Sequence, residues 1–254
     1  MNGTRSKNIF DPAAKKPFKL SRSKIEDFLR CPLCFYLDRR LGVAQPPGFP
    51  FTLNNAVDRL LKKEFDIHRA GKTTHPLMKH YGIDAVPFQH PDLSKWRENF
   101  IGIRYHHAPA NFIVTGAIDD VWVNKKGELM IVDYKATSTE SPITLDAEYR
   151  QGYKRQMEIY QWLFRKNGFT VSDTGYFVYV NALKDKAAFD GKLEFDVQIL
   201  SYTGSDAWVK KTLSLARKCL MSDTPPKGTP DCDFCNYRAA AQKALGVVSR
   251  KKNR

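Results

Sequence analysis

Three residues near the middle of the chain have the types and spacing for chemistry: Asp119, Asp133 and Lys135. Residues 111–123 and 128–135 alternate apolar and polar side chains as strands do, and Asn124-Lys125-Lys126-Gly127 between them has the composition of a hairpin turn. Centring the turn on Lys126 sets the register. Val123 faces Leu129, Val121 faces Ile131, and Asp119 faces Asp133. Strand side chains alternate, so Lys135 emerges on the same face as Asp133. Directly opposed carboxylates have Cβ atoms roughly 5 Å apart and repel each other. A divalent cation between them offsets the repulsion; a shared proton is the alternative. A metal lowers the pKa of a bound water, and a nearby ammonium orients the hydroxide or stabilises a phosphorane-like transition state. The backbone carbonyl of Tyr134, between the two side chains, is a further candidate oxygen ligand. An Asp-x-Lys alone reads as a surface salt bridge; the carboxylate opposed across the hairpin separates this pattern from that reading.

The cysteines form a second constellation. Cys31-Pro32-Leu33-Cys34 and Cys232-Asp233-Phe234-Cys235 are two Cys-x-x-Cys knuckles, the ligand set of a four-thiolate zinc site or an iron–sulfur cluster. Their separation requires the two ends of the chain to pack together. Buried structural thiols are the competing reading. Cys219 reads as a core residue on the last helix. A third pattern, Tyr153, Gln156 and Tyr160, places polar groups on one helical stripe, either half-buried or holding a nucleic-acid backbone.

The elements that must position these residues follow from periodicity and punctuation. Ser23-Lys24-Ile25-Glu26 has the capping-box pattern and opens a helix that Pro32 interrupts and that ends near Gly42. Thr52 caps a helix whose apolar face is Leu53, Ala56, Val57, Leu60 and Leu61. Residues 71–93, with three prolines, read as a long irregular stretch. After the hairpin come a helix over 149–166, strands near 176–180 and 193–200, and a helix around 207–219. The order specifies one α/β domain.

The chain of 254 residues has 42% apolar residues, enough for a core without disulfides. No apolar run approaches the ~20 residues of a membrane span, and Met1-Asn2-Gly3-Thr4-Arg5 does not resemble a signal peptide. A cytoplasmic protein without membrane attachment is expected. The net charge of +14 favours a polyanionic partner. Much of it lies at the ends: residues 1–24 carry seven Lys/Arg against one acid, and residues 243–254 carry five against none. No Gly-x-x-x-x-Gly-Lys-Ser/Thr loop is present to drive unwinding.

Gly116-x-x-Asp119, Asp133-Tyr134-Lys135 and Gln156-x-x-x-Tyr160, in that order, resemble the PD-(D/E)XK nuclease superfamily, most closely its RecB-like branch, which includes the CRISPR-associated exonucleases. Leu20-Ser21-Arg22-Ser23 and Arg30-Cys31-Pro32 are similar to the start of such domains. The resemblance covers about residues 20–240. It implies a restriction-endonuclease-like α/β core, a central mixed sheet flanked by helices. It also implies Mg²⁺ or Mn²⁺ on Asp119 and Asp133, a catalytic Lys135, and Gln156 and Tyr160 beside the site. RecB-like domains carry a histidine ligand on the preceding helix; here Asp58 stands in that place, as a ligand or as a solvated carboxylate beside Arg59 and Lys62. Related nucleases join their ends through a [4Fe–4S] cluster held by one early and three late cysteines. This chain has no late third cysteine, and Cys34 would complete a two-plus-two set. The expected organisation is a flexible basic arm over 1–20, a nuclease domain over 21–242 and a basic tail over 243–254. The expected activity is metal-dependent hydrolysis of DNA, single-stranded or end-containing duplex, in repair, recombination or defence. A helicase or repair partner fits this picture. The alternatives are a nucleic-acid-binding module with lost catalysis, or a subunit active only in a larger complex.

Overall fold

The computed structural model describes residues 7–48, 50 and 52–252. The chain begins with β1 (Phe18–Ser21), α1 (Arg22–Arg30), α2 (Pro32–Arg40) and the long α3 (Thr52–Ala70). Next come α4 (Pro76–His80), β2 (Ala85–Pro87), α5 (Leu93–Trp96), β3 (Ile103–His107), β4 (Phe112–Gly116), β5 (Asp120–Asn124) and β6 (Leu129–Thr137). The remainder is α6 (Gln151–Lys166), β7 (Thr174–Ala182), β8 (Phe195–Thr203), α7 (Val209–Met221) and α8 (Asp233–Lys252). Where the order of elements suggested one domain, the backbone gathers into two compact units built from segments distant in sequence. No helix among the described residues is long and apolar enough to cross a membrane.

One unit comprises residues 49–105 and 114–209. Its five-stranded mixed sheet has the order β2-β5-β6-β7-β8, with β6 and β7 parallel and the other neighbours antiparallel. The parallel pair needs a crossover, and α6 supplies it. Gly168, at φ 88°, ends that helix in the left-handed conformation that glycine adopts without strain. The β5–β6 register is Val121↔Ile131 and Val123↔Leu129, as the turn chemistry requires, with Gly127 at φ 78° in the turn. Alternation divides β6 between two environments. Met130, Val132 and Tyr134 join Phe65 of α3, Trp122 and Val178 in an apolar cluster, while Asp133 meets Gln156 of α6. Burying such side chains contributes on the order of 1.5–3 kcal/mol each.

The apolar face of α3 is rotated from its expected position. Leu53 and Leu60 are 58% and 63% exposed, whereas Phe65 is fully buried and stacks on Trp122 at 5.5 Å. The helix is oriented by Phe65 and by Arg69, one turn on, which pairs with the buried Asp120. The stretch 71–93 is more regular than its prolines suggest. His75 caps α4 by accepting the Leu77 N–H at 3.1 Å, and β2 adds an edge strand through Ala85↔Asn124. Pro87 sits on that edge, where its missing N–H costs little.

The other unit comprises residues up to 48, 106–113 and 210 onward. The expected break at Pro32 is present: α1 stops at Arg30, Cys31 is extended, and Pro32 opens α2 in its first turn, a place suited to its fixed φ. The helix before it starts at Arg22, with Ser21 at the cap position and making no capping bond, so the capping box at Ser23 does not form. Part of the segment expected as an arm is packed: Phe10 is buried, its N–H donates to Arg39 O at 2.6 Å, and its ring meets Phe18 edge-on at 5.3 Å. Residues 1–6 of that arm lie outside the described residues. The stretch expected as a basic tail is helical through Lys252, with 253–254 outside the described residues.

Gly116, at the end of β4, shows how closely that strand is packed to α6. A Cβ there would lie 2.5 Å from Tyr160 Cε1 and 3.2 Å from Leu163 Cδ1. Gly116→Ala should therefore displace the Tyr160 ring and cost about 1–3 kcal/mol. Urea denaturation checks this, and an unchanged midpoint would show that the ring yields freely.

Candidate active site and a candidate metal centre

The first site forms where β5 begins and β6 runs on past it. The ladder between them ends at Asp120↔Val132, and Asp119 lies one residue beyond. There the Asp119 side chain replaces the missing ladder bond, with Oδ2 accepting the Tyr134 N–H at 2.8 Å. The N–H and C=O of one residue in an extended strand point to the same side, so the Tyr134 carbonyl is directed to the same side as Asp119. Asp133 is 1% exposed; its Oδ1 accepts a bond from Gln156 Nε2 at 2.7 Å, and its Oδ2 forms a close ion pair with Lys135. Gln156 also donates to the Tyr160 hydroxyl at 3.2 Å. Both side chains are buried, so they orient Asp133 rather than offer a surface to a polymer backbone.

Lys135 projects into a cleft of about 530 Å³ lined by Asn54, Asp58, Lys62, Arg97, Asp119 and Tyr153, among others. Its ammonium lies 4.5 Å from the Tyr153 ring centroid. Burial works against the charge on Lys135, but Asp133 and Asp119 outweigh it and hold its pKa above the ordinary lysine value. Asp58 enters from α3. Burial and the neighbouring Asp119 push its carboxyl above the usual carboxylate range. Lys62, one turn later, bridges the two, 2.7 Å from Asp58 Oδ1 and 3.2 Å from Asp119 Oδ1. Asn54 holds this end of α3 to the sheet by donating to Ala136 O at 3.0 Å. Asp58, Asp119 and Tyr134 therefore offer oxygen donors around the cleft beside Asp133, a set suited to a hard cation such as Mg²⁺ or Mn²⁺. Two of the three carboxylates share one ammonium, and the third has its own.

Sequence reasoning missed the support behind Asp119. The next residue, Asp120, points the other way and is fully buried. It pairs closely with Arg69, accepts from Arg97 Nη2 at 3.0 Å and from the Tyr134 hydroxyl at 2.8 Å, and receives the Val121 N–H at 2.8 Å. Arg97 also donates to Asp119 O at 3.0 Å and to Asp66 at 2.9 Å. The adjacent Asp119-Asp120 pair was the available signal: on a strand, one must face away from the other.

The second site lies in the other unit. Cys31, Cys34, Cys232 and Cys235 form a group of four thiols whose sulfurs all lie within 4.8 Å of one another, close enough to hold one ion. The Cys31–Cys235, Cys34–Cys232 and Cys34–Cys235 sulfur distances are 3.6, 3.5 and 3.6 Å. Burial opposes ionisation of Cys31, yet backbone N–H groups of Cys34 and Thr229 and the facing thiols bring it down to about 6. Burial raises Cys34 and takes Cys235 to about 11. A Cβ on Gly228 would stand 2.9 Å from Cys235 Sγ, so only glycine lets this loop pass so close. Cys219, on α7, is half-buried and outside the group, and burial takes its thiol to about 11.

Asp120→Ala tests the support. It removes the fully buried carboxylate that Arg69 and Arg97 share, leaving them the half-exposed Asp66, and stability should fall by about 3–5 kcal/mol. Chemical denaturation measures the loss; a change near zero would show that the pairs to Asp120 carry no structural weight.

Comparison with known proteins comes to bear on this geometry. No curated protein matches the sequence. A solved structure titled "Crystal structure of SSO0001" is 13% identical, with a TM-score of 0.39, over 84% of this chain and 80% of that chain. The pattern that describes the PD-(D/E)XK nuclease superfamily matches residues 88–240, a span that contains the hairpin, α6 and the second cysteine knuckle. The chain belongs to the PD-(D/E)XK nuclease superfamily.

Proposed function

We propose that this protein is a Mg²⁺- or Mn²⁺-dependent deoxyribonuclease of the RecB-like kind that hydrolyses phosphodiester bonds in the cleft between β6 and α3. The observation that carries the reading is the pair Asp119 and Asp133 across the end of one hairpin, with Lys135 on the same strand reaching the same cleft. A bound metal would supply a water of lowered pKa and neutralise charge on the phosphate. Asp119, Asp133 and the Tyr134 carbonyl would hold it, with Asp58 taking the place of the histidine of related nucleases. Lys135, kept protonated by its carboxylate neighbours, stabilises negative charge developing on the phosphate and orients the attacking oxygen. Gln156 aims Asp133 by donating to it, and Tyr160 holds Gln156 in turn. The excess positive charge of the chain favours a nucleic-acid substrate.

The decisive assay incubates single- and double-stranded DNA with the protein and Mg²⁺, Mn²⁺ or EDTA. Cleavage is expected with the metals and not with EDTA. Asp133→Ala and Lys135→Ala should each lower the rate by about 10³-fold while leaving the fold intact. DNA binding without cleavage in every metal would instead mean a binding module, or a subunit that needs a partner.

The cysteine cluster reads as a single zinc. Four thiolates at ~2.3 Å from one zinc stand about 3.8 Å apart, close to the observed spacings. The thiolates around a [4Fe–4S] cube stand farther apart, at about 6 Å. Purified protein is expected to be colourless with about one zinc per chain, and chelation should lower its thermal stability because metal binding there is folding free energy. A brown protein carrying iron and sulfide would overturn the assignment.

A further inference from the structure

Lys62 engages the carboxylate oxygens that a metal in the cleft would need. Its ammonium lies 2.7 Å from Asp58 Oδ1, 2.8 Å from Asp58 Oδ2 and 3.2 Å from Asp119 Oδ1. The other oxygen of Asp119 already accepts the Tyr134 N–H. An ammonium has three donor hydrogens, and these contacts account for all of them. The oxygen that Asp119 would present to a metal therefore already faces the Lys62 ammonium. Two cations at such separations repel, strongly so in a half-buried cleft. Lys62 cannot simply depart. It stands one helical turn from Asp58 on the same face of α3, and its stem is largely covered, with the side chain 20% exposed. A flexible four-carbon stem lets the charged end move locally while the helix holds its base. The cleft it would turn into is the one lined by Lys135 and Arg97, where a phosphate is the natural partner for a displaced cation.

We infer that Lys62 is the built-in competitor of the catalytic metal, and that metal entry at Asp58 and Asp119 transfers its ammonium to a phosphate of the nucleic acid. This rests on the reading of the cleft as a metal-dependent nuclease site. It makes metal and nucleic acid cooperative ligands: each provides what the other's binding requires, and the coupling must be reciprocal. Lys135 has a different task, since it pairs with Asp133 and is buried beside the Tyr153 ring.

The experiment compares the full-length protein with Lys62→Met, which keeps the stem and removes the charge. Isothermal titration with Mn²⁺, at constant zinc content and without nucleic acid, should show about tenfold tighter binding in the variant, a difference of about 1.4 kcal/mol. A phosphorothioate-linked oligothymidine should tighten Mn²⁺ binding several-fold in the wild type and hardly at all in Lys62→Met. Lys62→Arg should restore that coupling. If Lys62→Met does not fold, Lys62→Gln replaces it. Equal or weaker Mn²⁺ binding by the charge-removed variant overturns the inference, because a merely structural lysine would give that result. An Asp133→Ala control separates the two readings: Mn²⁺ binding that survives it unchanged would place the metal elsewhere, and the nuclease assignment of the cleft would then fail first.

Discussion

Two like charges set opposite each other at the end of a hairpin are the constraint around which the unit that holds the cleft is arranged. Asp119 and Asp133 are brought together by strand register, and that register follows from a turn in which Gly127 takes a positive φ. Left alone, the pair would push the strands apart. The structure meets the repulsion with positive charge on each side: Lys135 on Asp133, and Lys62 shared by Asp119 and Asp58. It also meets it with fixed dipoles, the Tyr134 N–H at Asp119 and the Gln156 amide at Asp133. On the proposed function, one of those cations gives way to a metal.

The rigidity behind the site comes from a network anchored on Asp120, outside the cleft, with Arg97 reaching both. Asp120, Arg69, Arg97 and the Tyr134 hydroxyl form a largely buried network, extended by the half-exposed Asp66. Such a network contributes little net stability over an apolar core, yet it fixes the direction in which Asp119 points. Burial and the charge of Asp120 drive the Tyr134 phenol well above its ordinary pKa, so it stays a proton donor to that carboxylate. The close fit of Gly116 to Tyr160 acts on the other carboxylate, through Gln156. In the second unit the cysteine cluster has a comparable role at the level of the chain. It joins the start of α2 to the start of α8, residues about two hundred positions apart in sequence, a connection whose loop-closure entropy a metal would offset.

The residues whose positions depend on local rules were legible in the sequence. Alternation and turn chemistry gave the β5–β6 register, and 3.6-residue periodicity put Gln156 and Tyr160 on one stripe of α6. Two knuckles with ligand spacing anticipated a cluster that only a three-dimensional fold could close. What stayed hidden depended on partners distant in sequence. Arg69 reaches Asp120 across 51 positions and Lys62 reaches Asp119 across 57, and no local pattern announces either pair. The same long-range demand rotates α3, leaving Leu53 and Leu60 exposed where periodicity alone had buried them. Phe10 and Phe18, set among lysines and prolines, gave no periodic signal at all, yet they pack the segment that charge alone suggested was free.

The central claim is that the opposed carboxylates of one hairpin hold the metal. Anomalous diffraction from crystals soaked in Mn²⁺ tests it most directly, because manganese can be located without reference to activity. The account predicts a peak at about 2.1–2.3 Å from carboxylate oxygens of both Asp119 and Asp133, with Lys62 withdrawn from Asp119. A Mn²⁺ peak away from that pair, or a saturated crystal with Lys62 still bridging Asp58 and Asp119, would contradict it.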